Sequence, residues 1–394
     1  MPVPVAKTPA LPITARAVCT ALGMSSSECA DALSRGRSGL GRPAMDLPFE
    51  TLVGAVDSNL PRVPTAMAEY DSRVGRIALH LADECAPAVE RARRRWGADR
   101  VAVLFGTSTG GLAETEAAVA CHRATGHLPG GYDLHRQHSM RAVSELIALR
   151  FALRGPSYAI STACSSGAKV FAAAQRLLRA GVVDAVLLGG IDSLCQTTLR
   201  GFRSLGILAT ERCRPFGLGR EGLNLGEGGG LFLLERVGDA PFALLGVGES
   251  SDGFRMSAPP EDGYGAVVAM QGALAQAGRS ADAVDYVNAH GTGTAKNDLA
   301  EARAIKRVFD RRVPVASTKG YTGHTLGAAG AIEAAFAMFA LEGEWIPASL
   351  GASPADPDID LDLPSERRSA RCRVVMSNSF GFGGSNVSLV LGVE

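Results

Sequence analysis

A chain of 394 residues with 46% hydrophobic and 20% charged residues can bury a large core, which excludes a disordered segment. Lys plus Arg and Asp plus Glu number 40 each, so no charge excess marks a nucleic-acid or membrane-surface binder. The 8 cysteines are scattered without a C-x-x-C pair, which predicts a reduced, cytoplasmic protein with no metal site.

The first residues, Met1 to Ala15, carry no basic stretch followed by an apolar one, so no secretory leader is expected. No run of about 18 uninterrupted apolar residues is read, so no spanning helix is expected. Residues 1–45 read as an entry strand, a short helix near Ser25 to Arg35 and a Gly/Arg-rich surface loop. An amphipathic helix is predicted over Ser72–Arg95, with Val74, Ile77, Ala78 and Leu81 on one face. A strand over Arg100–Phe105 ends in a Gly/Ser/Thr turn, and a helix follows from Ala113 to Ala124. The loop from Thr125 to Gln137 holds His127 and His135, with His138 just beyond; isolated loop histidines read as surface residues.

A helix from Ala142 to Leu153 leads to a strand at Ser157–Ile160 and then to Ser161-Thr162-Ala163-Cys164-Ser165-Ser166-Gly167. The helical pattern resumes at Ala168 and runs to Ala180, so Cys164 stands where a strand turns into a helix. Free N–H groups and the helix dipole favour a thiolate there. Buried structural cysteine and nucleophile are the two readings of that position. A buried strand, Ala185–Leu188, closes on Gly189-Gly190. The Gly/Arg-rich segment Gly201–Gly230 precedes a strand at Leu231–Glu235.

The chain then repeats itself, giving two halves, 1–239 and 240–394. Val101–Thr109 echoes Val284–Thr292, the Cys164 strand and helix echo Ser317-Thr318 and the helix from Thr325, and Ala185–Leu188 echoes Arg373–Met376. Equivalent strand ends of two such halves converge on one pocket. The second half places His290 in Asn288-Ala289-His290-Gly291-Thr292-Gly293-Thr294. Lys319 and His324 lie in Ser317–His324, and Phe380 and Phe382 in Ser377-Asn378-Ser379-Phe380-Gly381-Phe382-Gly383-Gly384. Each is a strand end bearing a functional group beside glycines.

These motifs resemble the elongating β-ketoacyl-acyl-carrier-protein synthases of the thiolase superfamily, over nearly the whole chain. The resemblance implies an α/β thiolase fold, duplicated as five layers, α-β-α-β-α. It implies a decarboxylative Claisen condensation in fatty-acid, aryl-polyene or type II polyketide synthesis. Cys164 would carry the acyl chain, and His290 and His324 would serve decarboxylation. Lys319 would sit near His324 and tune it. The N–H groups of Cys164 and Phe382 would form an oxyanion hole, and Phe382 would gate. Thr292, Thr294, Phe380 and Gly381 would meet the pantetheine arm. Glu333 resembles a buried acid that holds a water or monovalent cation with Asn288, Ser377 and Asn378. Thr109 would border the acyl pocket, its small polar side chain allowing a long or polar chain.

No cofactor of its own is implied; substrates ride on the phosphopantetheine of an acyl-carrier protein. A dimer is implied, with a second copy or with a chain-length-factor-like subunit. One departure is Ala66–Asp71, which lacks the basic residues that related enzymes carry for the acidic carrier. Arg200, Arg203 and Arg214 are expected to serve instead. The alternative function is a non-catalytic chain-length-factor-like partner, which such subunits' usual lack of the cysteine argues against.

Overall fold

The computed structural model describes residues 8–309 and 313–393. Residues 1–7, on which part of the leader reading falls, lie outside the described residues. The principal strands are β1 (Leu11–Thr20), β2 (Val101–Gly106), β3 (Ser157–Ile160), β4 (Ala185–Asp192) and β5 (Gly228–Glu235). The second half adds β6 (Ala243–Ser251), β7 (Tyr286–Asn288), β8 (Val315–Ala316), β9 (Val374–Gly381) and β10 (Ser385–Gly392). Their spatial order is β8-β7-β9-β10-β6-β1-β5-β4-β2-β3. Each half follows one plan: β3-β2-β4-β5-β1 in the first, β8-β7-β9-β10-β6 in the second. The internal echo in the sequence is thus an echo of topology. β1 joins the halves, pairing Leu11 and Pro12 with β6 and its later residues with β5.

The helices are α1 (Ser26–Ser34), α2 (Arg73–Trp96), α3 (Leu112–Thr125), α4 (Ala142–Arg150) and α5 (Ser166–Arg179). They continue with α6 (Gln196–Ser204), α7 (Tyr264–Ala277), α8 (Ala295–Val308), α9 (Lys319–Thr322) and α10 (Ala329–Gly343). Ile77 and Leu81 of α2 and Leu146 of α4 share a core with Val103 and Leu187. Met270 of α7 and Ile305 of α8 share another with Val287 and Met376. Between the sheets, Phe171 of α5 and Ile332 and Phe336 of α10 pack with Leu188, Phe232, Val375 and Leu389. The stack is therefore α-β-α-β-α. Successive residues of β4 face opposite layers, Leu187 outward and Leu188 inward. That is why its sequence is apolar without alternation.

Several boundaries differ from expectation: the helix expected to Leu153 ends at Arg150, the one expected from Thr325 begins at Ala329, and the strand expected at Arg373–Met376 runs to Gly381. β4 does not close at Gly189-Gly190 but runs on to Asp192, and β5 begins at Gly228, before Leu231. The glycines serve close approach, not a turn. A Cβ on Gly190 would lie 3.0 Å from the Gly167 Cα and 3.1 Å from the Ala328 Cα. Both central helices could not then reach the sheet.

One stretch, interrupted only by Glu333 and Glu342 among charged residues, bears on the expectation about apolar runs. Leu326–Gly343 has a mean hydropathy of 1.3 and is long and apolar enough to cross a membrane by length and composition. In the fold, 89% of it is buried. A helix sandwiched between two sheets is apolar on every face. Each large side chain buried there contributes about 1.5–3 kcal/mol.

Candidate active site

Cys164 lies on the turn between β3 and α5 and is 6% exposed. The turn is tied by its own serines. Ser166 Oγ donates to the Ala163 carbonyl at 2.6 Å, and the Thr162 N–H donates to Ser166 Oγ at 2.9 Å. Ala163 is held at φ 51, a left-handed conformation unfavourable for alanine. This sharp turn aims the sulfur at the second half.

The Phe382 N–H bears on the Cys164 sulfur and favours its thiolate, the side from which an oxyanion-hole donor would act. The thiolate favoured by the helix N-terminus is opposed by burial. Burial pushes the thiol up to about 11, against the Phe382 N–H and the charge of Lys319.

His290 follows β7, and His324 follows α9. Their rings meet edge-on, with centroids 5.4 Å apart at 85°. Both rings are buried, and His324 has no hydrogen-bond partner on either ring nitrogen. Burial holds both imidazoles well below their ordinary 6.5, and the charge of Lys319 adds to this. Each ring is therefore neutral at pH 7, with one N–H to donate. Unfolded histidines take up protons near 6.5 and these two do not. Their contribution to stability is full above pH 6.5 and is lost as pH falls below it. Malonyl decarboxylation should accordingly stay level from about pH 8 down to 6.5. Stopped-time assays of carbon dioxide release check this; an acid limb centred above pH 6.5 contradicts it.

Lys319 is 1% exposed. Its Nζ donates to Glu333 Oε1 at 2.5 Å and to the His290 carbonyl at 2.5 Å, and stands 3.5 Å from His290 Nδ1. The lysine therefore braces His290, whereas the sequence placed it beside His324. Its charge still bears on both rings. Glu333 is buried at 3%, and burial raises its carboxyl.

Of the groups expected around Glu333, Asn288 accepts from the Tyr286 hydroxyl at 3.1 Å and leaves Nδ2 unpartnered. Ser377 Oγ and Glu333 Oε2 are buried without partners. Asn378 turns elsewhere: it accepts from Ser388 Oγ at 2.8 Å and donates to Glu301 Oε1 at 3.4 Å. Among the described residues, no group of three or more His, Cys, Asp or Glu side chains could hold a metal ion.

One cavity of about 390 Å³ brings together Cys164, His290, His324, Thr292, Thr294 and Phe380–Gly384. Thr292 and Thr294 touch through their hydroxyls at 2.8 Å. Phe380 packs 6.0 Å from the His290 ring. Thr109 does not line this cavity; its hydroxyl is held by Asp192 at 2.7 Å. Arg200 is bound to the Gln196 amide, Arg203 lies over Phe49, and Arg214 is exposed. The cations lining the cavity beside the catalytic groups are Arg220, Arg255 and Lys296. Arg220 is committed to Asp356 at 2.6 Å. His127 and His135 are exposed, as expected, and His138 bonds Thr115 at 2.6 Å.

Sequence reasoning missed Glu301. From α8 it accepts the His290 N–H at 2.8 Å and the Gly291 N–H at 2.7 Å. Burial raises its carboxyl to about 7. Its small neighbours Ala300, Ala302 and Ala304 were the available signal of a buried helix face. Phe202 was missed too; its ring stacks on Phe382 at 5.9 Å and 16°.

A duplicated α-β-α-β-α fold with a cysteine, two neutral histidines and a backbone donor on one cavity defines a condensing enzyme of the thiolase type. Residues 12–240 match the family model "Beta-ketoacyl synthase, N-terminal domain", and residues 242–353 match "Beta-ketoacyl synthase, C-terminal domain". The chain belongs to the β-ketoacyl synthase family.

It is 33% identical to "Nodulation protein E" of Rhizobium meliloti over 373 residues, spanning 90% of this chain and 92% of that one. It is 39% identical to "3-oxoacyl-[acyl-carrier-protein] synthase 2" of Rhizobium meliloti (strain 1021) over 264 residues, 62% of each. Among solved structures it resembles the "Ketosynthase (ApeO) in Complex with its Chain Length Factor (ApeC) from Xenorhabdus doucetiae". That match has a TM-score of 0.92 and 38% identity, over 98% of both chains. "The ishigamide ketosynthase/chain length factor" matches with a TM-score of 0.88 and 28% identity, over 98% of this chain and 99% of that one. The protein is an acyltransferase that elongates acyl chains by condensation in fatty-acid or polyketide synthesis. A non-catalytic partner role is not favoured.

Proposed function

We propose that Cys164 takes an acyl group from the phosphopantetheine thioester of an acyl-carrier protein. The pantetheine thiol leaves with the cysteine proton, so a resting thiol suffices. Malonyl-carrier protein then binds with its thioester oxygen facing His290 and His324. Carbon dioxide departs, and the two neutral N–H groups hold the enolate charge. The enolate carbon attacks the acyl carbonyl, whose oxyanion meets the N–H groups of Cys164 and Phe382. Collapse expels the cysteine sulfur, which regains a proton, and β-ketoacyl-carrier protein leaves. Thr292 and Thr294 hydrogen-bond the pantetheine arm. Phe382 gates the acyl side, on a loop where Gly383 at φ 81 gives it freedom to move.

The observation that carries this reading is the convergence of Cys164, His290, His324 and Phe382 on one cavity. The enzyme works in the cytoplasm as a dimer, with a second copy or with a chain-length-factor-like subunit. The half-exposed strand β3, last in the sheet order, supports such pairing.

His290→Ala and His324→Ala test the division of labour. Each should keep Cys164 acylation while decarboxylation falls roughly 10²–10³-fold. Intact-protein mass reads the first step and carbon dioxide release the second. Equal loss of both steps would reject the assignment.

A further inference from the structure

Asp192, at the end of β4, is fully buried and every contact it makes is with a donor. Its Oδ1 accepts from Thr107 Oγ1 at 2.5 Å, Thr109 Oγ1 at 2.7 Å and the Thr109 N–H at 2.9 Å. Its Oδ2 accepts from Ser108 Oγ at 2.8 Å and from the Gly327 N–H at 2.5 Å. The Ser108 N–H lies 3.0 Å from both oxygens. One carboxylate therefore ties the turn after β2 in the first half to the approach to α10 in the second.

The two halves give this contact a meaning. α5 begins at Ser166 and α10 at Ala329, and each is preceded three residues earlier by a strained left-handed residue. These are Ala163 at φ 51 and Leu326 at φ 54. The residue after each is Cys164 in the first half and Gly327 in the second. Likewise Thr107 after β2 corresponds to His290 after β7. The Gly327 N–H is thus the counterpart of the Cys164 N–H.

We propose that the Asp192 carboxylate occupies the Gly327 N–H, the pseudo-symmetric counterpart of the Cys164 donor of the oxyanion hole, and that by doing so it positions His324. The proposal rests on the functional reading given above. The His324 ring has no hydrogen-bond partner, so its place is set by the backbone around it. Upstream, the His324 N–H donates to the Asn224 carbonyl at 2.7 Å. The His324 carbonyl accepts from the Gly226 N–H at 2.9 Å, and the next anchor downstream is Gly327 on Asp192, immediately past the strained Leu326. Without that anchor the turn relaxes and the imidazole leaves its line to the substrate oxygen. The active half keeps its N–H groups open for a transient anion; the other half holds a permanent one.

Asp192→Asn keeps the shape but sets an amide N–H against donors, and Asp192→Ala vacates the site. In both, Cys164 acylation should stay within about threefold of wild type while malonyl decarboxylation falls roughly 100-fold, the scale of a misplaced catalytic group. Excess formate, a free carboxylate of the right size, should restore decarboxylation in Asp192→Ala and leave wild type unchanged. Parallel loss of acylation and decarboxylation, wild-type rates in Asp192→Asn, or no formate rescue in a folded Asp192→Ala would overturn the proposal. If Asp192→Ala does not fold, the isosteric Asp192→Asn carries the test. His324→Ala runs alongside. Normal decarboxylation in His324→Ala defeats the functional reading itself; an impaired His324→Ala beside a normal Asp192→Asn defeats only the positioning role.

Discussion

Cys164→Ala should abolish condensation, by roughly 10⁴-fold or more, because Cys164 is the one thiol among the described residues lining the cavity. The mass gain seen after incubation with acyl-carrier protein should vanish. Folding should be nearly untouched: the side chain is small and 6% exposed, and losing its sulfur costs about 1 kcal/mol. Malonyl decarboxylation should persist, since His290, His324 and the Phe382 N–H remain. A folded Cys164→Ala that still elongates an acyl chain would remove the covalent step from the mechanism. A mass gain retained in that variant would place the acyl group on another residue.

Lys319→Met should be the costliest substitution for stability. The Lys319–Glu333 pair is almost fully buried, with side chains 1% and 4% exposed. A buried pair of this kind is worth little against an apolar isostere, but breaking it strands a charge. Losing the lysine leaves the Glu333 carboxyl unpaired and should cost about 3–5 kcal/mol, read as a shift in the urea midpoint. Lys319→Met with Glu333→Gln should recover part of that loss, because no charge is then stranded. A single variant as stable as wild type would show that the pair is not buried in solution.

The same variant changes the chemistry in a predictable direction. The charge of Lys319 helps hold His290 and His324 below 6.5, with burial the larger cause. Removing it raises both, so the acid limb of decarboxylation should move to higher pH. A limb that stays in place would mean burial alone sets the imidazoles.

Cys164 and His290 were legible in the sequence for one reason, and His324 and Phe382 through the motifs that carry the resemblance. A glycine-flanked polar residue at the end of an apolar run is a local pattern, and strand-to-loop edges are made locally. The duplication was legible too, since Val101–Thr109 and Val284–Thr292 occupy equivalent strands, β2 and β7. Motif resemblance then named the chemistry.

Other features depend on packing between residues far apart in the chain. Glu301 reads as an ordinary helix glutamate until packing buries it against the His290 N–H. Gly189 and Gly190 read as a turn because glycine usually marks one; here neighbouring strands crowd the first and two helices press on the second. The sulfur at a helix N-terminus reads as a thiolate, yet burial raises it, and no local pattern reports desolvation. Asp192 carried no signal at all, because its partners lie at positions 107–109 and 327, brought together only when the two halves pack. Short-range patterns of polarity and glycine thus point to the groups proposed to react. Their protonation and their bracing follow from long-range burial, which exists only in the assembled fold.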